Sequence, residues 1–95
     1  MFIINFNFIK PIEEVNRFTE AHRNYILTQY KAEKFVLGGP KSPRNGGVII
    51  ANCDSEEEVH KILSKDPLIQ KEIAEYSLIE FKPLLSVVGL GHYIK

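Results

Sequence analysis

The sequence predicts a single α+β domain whose elements follow the order β-α-β-β-α-β. A strictly alternating segment opens the chain, two segments with helical periodicity lie between extended segments, and a loop rich in glycine and proline separates the two central strands. The 95 residues fall within the usual size of one domain and leave no room for two independent cores. We therefore treat residues 1–95 as one domain with its core in residues 2–85.

The first strand and the first helix are predicted from two different periods. FIINFNFI, residues 2–9, places large apolar side chains on one face and a mixed set on the other, which is the period of a strand. Pro11 then suits the first turn of a helix, where its missing N–H costs nothing. That helix should end near Tyr30 or Lys31. Its predicted inner stripe, at spacings of three and four, is Ile12, Val15, Phe18, His22, Tyr25 or Ile26, and Gln29.

The middle of the chain predicts a hairpin with a long loop. KFVLGG at residues 34–39 is the second strand and VIIANC at residues 48–53 is the third, with two prolines and an Asn-Gly between them. A helix follows, because Ser55 and Glu58 have the spacing of a capping box. The inner stripe of this helix is Val59, Ile62 and Leu63.

The last third of the chain predicts a helical turn and a final strand. Asp66 at the cap and Pro67 at the first helical position start the turn. YSLIEFKPLL, from Tyr76, is the last strand. The complete order resembles the ferredoxin-like arrangement, in which two helical crossovers accompany an antiparallel sheet. The apolar tail, residues 86–95, is either a further short strand or an arm that packs on a partner subunit.

Both faces of the predicted sheet contain apolar side chains. Leu78 and Ile79 point to opposite faces of the last strand, as do Ile49 and Ile50 of the third. Helices cover one face, so the sheet of a second copy would cover the other and leave a cavity between sheet, hairpin and helix ends. A small domain without disulfide or metal often gains stability by pairing. We therefore expect a homodimer.

Composition and charge exclude several classes of protein. The 12 basic and 12 acidic residues cancel, so no long-range field attracts nucleic acid or an anionic membrane. Cys53 is the single cysteine and the three histidines lie far apart, so neither a disulfide nor a metal or other cofactor is expected. The N-terminal segment has no basic leader or cleavage site, and no apolar run reaches the length of a membrane span. A reducing, cytoplasmic setting is expected.

His22 and Asp66 are the candidate catalytic residues. A titratable ring on the inner stripe of a helix is either a core histidine with satisfied nitrogens or a general base. The carboxylate of an Asp-Pro helix start caps the helix, and its second oxygen can also hold an imidazole in one tautomer. Such a pair without a nucleophile suits proton transfer. Cys53, at the end of a strand, fits packing better than a thiolate.

Polar residues elsewhere are candidates for substrate binding. Ser42 and Arg44 in the hairpin loop either close over an anionic substrate or keep the loop soluble. Tyr25 and Asn5 are further candidates for the wall of a pocket. Glu80 is a second acid if its face of the strand lines a cavity in the dimer, and otherwise an exposed edge charge.

Several segments in this order resemble the YCII-related proteins. They are EAHRNYI, FVLGGP, PRNGGVII, SEEEVHKIL, DPL and YSLIEFKPL, and they cover the chain from Phe2 to about Leu85. The resemblance implies a ferredoxin-like fold that dimerises into an α/β barrel, as in muconolactone isomerase. It also implies a pocket in which a helix histidine meets the aspartate of an Asp-Pro turn, at positions matching His22 and Asp66. Some relatives eliminate chloride from chlorinated hydroxyhydroquinones. This chain departs from the pattern at Leu68, where many relatives carry an aromatic residue.

The sequence thus favours an enzyme that moves a proton on a small anionic or phenolic substrate. Neutral His22 is the predicted base, Asp66 orients it, and Arg44 or Tyr25 stabilises the developing oxyanion. The alternative is a noncatalytic module for ligand binding or dimerisation, in which the histidine is structural.

Overall fold

The computed structural model describes residues 1–94, which form a four-stranded antiparallel sheet with helices on one face. The elements are β1 Phe2–Phe8, α1 Ile12–Lys31, β2 Phe35–Pro40, β3 Gly46–Ala51, α2 Glu56–Leu63, α3 Pro67–Gln70, β4 Ala74–Glu80 and a 3-10 turn at Gly91–Tyr93. Across the sheet the strands lie in the order β2-β3-β1-β4; each outer strand is reached by a helical crossover, and a hairpin joins β2 to β3. This is the ferredoxin-like topology, and the predicted α+β fold class is confirmed.

The core lies between the sheet and the helices. Alternate residues of β1, namely Phe2, Ile4 and Phe6, are buried against it, as the alternating pattern predicts. Val59 and Leu63 of α2 are fully buried on the same side. The helix-covered face is therefore a continuous apolar layer.

The opposite face, which we call the outer face, has no helix. Leu37 is 64% exposed and Ile79 is 59% exposed, while Ile3 and Ile50 are half-buried between neighbouring strands. Within one copy of the chain this face is therefore open, although both faces were expected to be buried. Its covering by a second copy stays a prediction.

Two strand boundaries differ from the sequence-based expectation. β4 begins at Ala74 rather than Tyr76 because Ala74 pairs with Phe8 of β1. It ends at Glu80, long before Leu85, because β1 is its neighbour and the last bond runs from the N–H of Phe81 to the carbonyl of Met1. No strand of the described residues pairs with the segment from residue 82 to residue 94.

The tail is largely exposed. Leu84, Leu85, Val87 and Val88 are each at least 70% exposed, and the segment from Gly91 to Tyr93 is a 3-10 turn rather than a strand. Lys95 lies outside the described residues. Packing of this tail on a partner subunit remains a prediction.

The predicted helix caps are present. The Ser55 hydroxyl accepts from the N–H of Glu58 at 3.2 Å, and the Glu58 carboxylate accepts from the N–H of Asp54 at 3.0 Å. Lys34 reaches the same carboxylate at 3.0 Å. The hydrogen bond from Asp54 and then the Lys34 ammonium hold the pKa of Glu58 below its usual value. In residues 1–94, no helix has the length and apolar character needed to cross a membrane.

Candidate active site

A cavity of about 330 Å³ lies between α1 and the part of the sheet formed by β2 and β3. Three of the sheet residues that line it have little or no side chain and so leave space opposite α1: Gly38, Pro40 and Gly47. Gly47 pairs with Phe6, whose side chain is in the core, so position 47 faces α1. A larger residue there would extend into the cavity.

His22 and Asp66 meet at the inner wall of this cavity. Nδ1 of His22 lies 2.8 Å from each carboxylate oxygen of Asp66, although 44 positions separate the residues in the chain. Asp66 is completely buried, and the His22 side chain is 16% exposed. The two residues, which were expected to meet, lie in contact in the structure.

Asp66 is held by its own helix turn. Its Oδ1 accepts from the backbone N–H of Leu68 at 2.9 Å, which makes Asp66 the N-cap of α3. Helix α3 packs on α1, so the cap faces the histidine. The edge of the Phe6 ring also contacts His22, with 6.0 Å between ring centroids. Capping and holding the imidazole are thus performed by the same carboxylate.

The other ring nitrogen of His22, Nε2, is not fully buried. No group in residues 1–94 forms a hydrogen bond with it, and no side-chain nitrogen or oxygen that is fully buried lacks a partner in that range. A carboxylate only accepts, so Nδ1 carries the hydrogen of the neutral ring and Nε2 carries the lone pair. His22 lines the cavity, so this arrangement presents a proton acceptor to it.

Arg44 lies at the mouth of the cavity and bridges the hairpin to α1. Its guanidinium donates to Asn16 Oδ1 at 3.0 Å and to Thr19 Oγ1 at 3.3 Å. The same group lies over the Phe8 ring, 5.8 Å from its centroid. None of these partners is charged, so the positive charge of Arg44 is available to an anion.

Three other predicted binding residues do not line the cavity. The Tyr25 hydroxyl donates to the carbonyl of Ile62 at 2.6 Å, because residue 25 lies on the side of α1 that faces α2. Asn5 lies on the outer face, where its amide reaches Ser77 at 3.4 Å. Ser42 lies in the loop between β2 and β3, away from the cavity wall. Glu80 is exposed at the end of β4, also outside the cavity.

Burial changes the acidity of Tyr25. Loss of solvation raises the pKa of its hydroxyl, and the negative charge of Asp66 raises it further. The hydroxyl therefore stays protonated and serves as a fixed donor to α2. Its contribution is to hold α1 against the second crossover, next to the His22–Asp66 pair.

Three further polar residues of the cavity were not predicted from the sequence. They are Thr19, Arg23 and Tyr30, all on α1. Loss of solvation raises the pKa of Tyr30, so its hydroxyl remains a donor at neutral pH. The spacings of four from Thr19 to Arg23 and of seven from Arg23 to Tyr30 were the available signal, because they place the three residues on one side of α1.

Cys53 is buried at the end of β3 and lies outside the cavity. Burial, followed by the negative charge of Glu58, raises the pKa of its thiol to about 11. The side chain is part of the core. Among residues 1–94, no cluster of three or more His, Cys, Asp or Glu side chains has the geometry to hold a metal ion.

The fold is similar to that of a solved enzyme. The structure of 5-chloro-2-hydroxyhydroquinone dehydrochlorinase from Burkholderia phenoliruptrix, in complex with 2,5-dihydroxybenzoquinone, has a TM-score of 0.72 to this chain. The similarity covers 86% of this chain and 94% of the dehydrochlorinase, at 19% sequence identity. At that identity the similarity concerns the fold. Comparison with curated protein sequences gives no match.

The sequence itself matches one protein family. Residues 1–82 match the YCII-related domain, which ends shortly after β4 and leaves the exposed tail outside the match. The match includes the helix of His22, the hairpin with its glycines and the Asp-Pro turn of Asp66. The chain belongs to the YCII-related family.

Proposed function

We propose that the chain is a small-molecule enzyme in which His22 acts as general base and Asp66 orients it. One observation carries the proposal. A completely buried carboxylate holds Nδ1 of His22 at 2.8 Å, while Nε2 has no hydrogen-bond partner in residues 1–94 and the His22 side chain lines a cavity. A histidine in a purely structural role would use both nitrogens within the protein or leave the ring on an exposed surface.

The proposed reaction begins with removal of a proton by Nε2. The proton comes from carbon or oxygen of a small cyclic or phenolic substrate, and its electron pair stays on the substrate as an enolate or phenolate. Asp66 stabilises the imidazolium that forms, because its carboxylate is already bonded to Nδ1. Arg44 at the cavity mouth stabilises the oxyanion. Return of the proton to another atom gives an isomerase, and loss of a leaving anion gives a lyase.

The solved dehydrochlorinase supports the choice of substrate class. Its name describes a chlorinated hydroxyhydroquinone as substrate, and its structure holds 2,5-dihydroxybenzoquinone. Both compounds are single rings with acidic oxygens, and a cavity of about 330 Å³ is at the small end for ligand sites. An elimination of the dehydrochlorinase type is therefore one form of the proposed reaction.

Hydrogen exchange in deuterium oxide tests the proposal without knowledge of the physiological substrate. A panel of small cyclic ketones, hydroquinones and chlorinated hydroxyhydroquinones is incubated with the protein, and deuterium incorporation and chloride release are measured. We expect catalysed exchange with at least one compound, and a loss of at least a hundredfold in His22→Gln. His60→Gln is the matched control, because His60 is an exposed histidine on α2 outside the cavity. Equal activity of His22→Gln and wild type would exclude the proposed base.

The second candidate is a noncatalytic ligand-binding module. It is favoured by the packing of the His22 ring against Phe6 and by the burial of Asp66, both of which also stabilise the fold. In that case wild type would bind ring compounds with no exchange, and His22→Ala would lower the free energy of unfolding with no other effect. Exchange catalysed by wild type decides between the two candidates.

We further propose that one copy of this domain, residues 1–95, pairs with a second through the outer face. Leu37 and Ile79 are more than half exposed there, and a sheet from a second copy would remove them from water. Sedimentation equilibrium of wild type and Ile79→Glu tests this. We expect a dimer that dissociates in the variant, and a monomeric wild type would contradict the proposal.

The single cysteine supports a reducing, cytoplasmic location.

A further inference from the structure

We propose that Arg23 and Arg44 form a pair of guanidiniums at the cavity mouth that selects a small ring bearing two negative charges. This inference rests on the proposed function and specifies the substrate class of the same cavity. Arg23 and Arg44 come from different elements, α1 and the hairpin loop, and both line the cavity. Together they define a ligand that is compact, cyclic and dianionic.

The positions of the two arginines are linked through Thr19. Arg44 donates to the hydroxyl of Thr19 at 3.3 Å, and Arg23 lies four residues after Thr19 on the same helix. Residues four apart on a helix are neighbours on one face, separated along the axis by about 6 Å. The two guanidiniums therefore start from adjacent positions on α1, within reach of one small ligand.

Neither arginine has its charge neutralised by the protein. Arg44 is bonded to the neutral side chains of Asn16 and Thr19, and Arg23 has no ion pair within residues 1–94. No aspartate or glutamate of that range lines the cavity, since Asp66 is enclosed behind His22. Two uncompensated positive charges at one mouth raise the local concentration of anions and favour a doubly charged ligand.

The inner part of the cavity fits an apolar ring. Phe6, Val15, Ile26 and Ile49 supply apolar walls, and Gly47 leaves room above the sheet. A ring seated there would lie beside Nε2 of His22 and extend its acidic oxygens toward the arginines at the mouth. Guanidinium groups bind such oxygens in the plane of their N–H donors. The cavity thus has an apolar interior and a cationic mouth, which matches a ring dianion.

Calorimetric titration of the full chain with three rings of different charge tests the proposal. The probes are 2,5-dihydroxybenzoquinone as the dianion, 4-hydroxybenzoate as the monoanion and 4-hydroxybenzamide as the neutral ring. We expect wild type to bind the dianion most tightly. Arg23→Gln and Arg44→Gln should each weaken dianion binding about tenfold or more, with less than twofold change for the neutral ring. Circular dichroism confirms that each variant is folded.

Arg17→Gln is the matched control. Arg17 is also an exposed arginine of α1, but it pairs with Glu14 at 3.2 Å and lies outside the cavity. Its removal should change dianion affinity by less than twofold, which separates a local effect from a change in net charge. A change of less than twofold for Arg23→Gln, or a wild type that binds the dianion no better than the neutral ring, would overturn the proposal.

Failure of this inference and failure of the proposed function are distinguishable. Binding is measured without turnover, and His22→Gln keeps both arginines, so it should retain the preference for the dianion. If wild type and His22→Gln share that preference while wild type catalyses no exchange, the arginine pair stands and the general base is wrong. If wild type catalyses exchange without preferring the dianion, the general base stands and the arginine pair is wrong.

Discussion

Replacement of Asp66 tests the bond on which the candidate site depends. In Asp66→Ala, the N–H of Leu68 loses its cap and Nδ1 of His22 loses its partner. Loss of an N-cap costs about 1 kcal/mol, and loss of a hydrogen bond to a charged group costs about 1.5–3 kcal/mol. We therefore expect the free energy of unfolding to fall by about 1.5–4 kcal/mol, where the upper value is the full sum, because both bonds end on the same carboxylate and their contributions need not add. A 95-residue domain has a total of about 5–14 kcal/mol.

Asp66→Asn separates the fold from the chemistry. The amide oxygen can keep the bond to Leu68, which leaves the NH₂ group facing Nδ1 of His22. The NH₂ group only donates, so a hydrogen bond between it and Nδ1 requires Nδ1 to accept and places the hydrogen of the neutral ring on Nε2. The ring would then present a donor to the cavity instead of a proton acceptor. We expect a loss of stability of only about 1 kcal/mol together with a loss of catalysed exchange of a hundredfold or more.

Three measurements check these expectations. Urea unfolding followed by circular dichroism gives the free energies, and deuterium incorporation gives the activity. Long-range ¹⁵N–¹H correlation spectra of the His22 ring give the tautomer in wild type and Asp66→Asn. The reasoning is refuted if Asp66→Ala costs less than 1 kcal/mol, or if Asp66→Asn leaves the hydrogen on Nδ1 and the activity unchanged.

Three further predictions concern other parts of the molecule. Cys53 should react with thiol reagents only after unfolding. Burial raises the pKa of its thiol to about 11 in the folded state, whereas the thiol of the unfolded chain ionises near pH 9.0. The free energy of unfolding should therefore fall as the pH rises above 9.0. The lowered pKa of Glu58 stabilises the fold above pH 4.5, so stability should fall with acidification below that pH, and urea titrations of Glu58→Gln should show a smaller fall. Gly47→Val should place a side chain in the cavity and weaken 2,5-dihydroxybenzoquinone binding at least tenfold by calorimetry. The added Cβ would lie 3.2 Å from the carbonyl oxygen of Gly39, so that oxygen must shift slightly. Gly39→Val is its control, because position 39 borders the same cavity but a Cβ there points to the outer face and meets nothing within 4 Å.

Elements with a local cause could be predicted from the sequence. Alternation in FIINFNFI places β1 within one residue, and the Ser55 and Asp66 caps place the starts of α2 and α3. The boundaries of β4 could not be predicted in the same way, because they depend on where β1 ends and begins. Ala74 carries no strand signal of its own, yet Phe8 pairs with it. Strand ends are set by the partner strand, which the local pattern does not contain.

The candidate site was predicted in part for a similar reason. His22 and Asp66 each had a local signal, a helix stripe and an Asp-Pro start, and their contact follows once α3 packs on α1. Arg44 was identified from the composition of the loop. Arg23 was missed because an arginine beside the inner stripe of a helix resembles an ordinary exposed charge. Its significance arises only from the empty space that the hairpin leaves opposite it.

The geometry of α1 explains why Arg23 lines the cavity although it was not predicted to, and why Tyr25 does not although it was. At about 100° per residue, Arg23 and Tyr25 lie on opposite flanks of the line through Val15, His22 and Ile26. One flank meets α2, where the Tyr25 hydroxyl finds a backbone carbonyl.

The other flank of α1 meets the hairpin, where glycines at positions 38 and 47 provide no side chains to fill the space. The polar group on the α2 flank, the Tyr25 hydroxyl, is hydrogen-bonded within the protein, whereas Thr19, Arg23 and Tyr30 on the hairpin flank line the cavity. The glycines of the hairpin therefore determine which polar residues of α1 remain available to a ligand. Replacement of Gly47 by a residue with a larger side chain should fill the cavity and leave His22 itself unchanged.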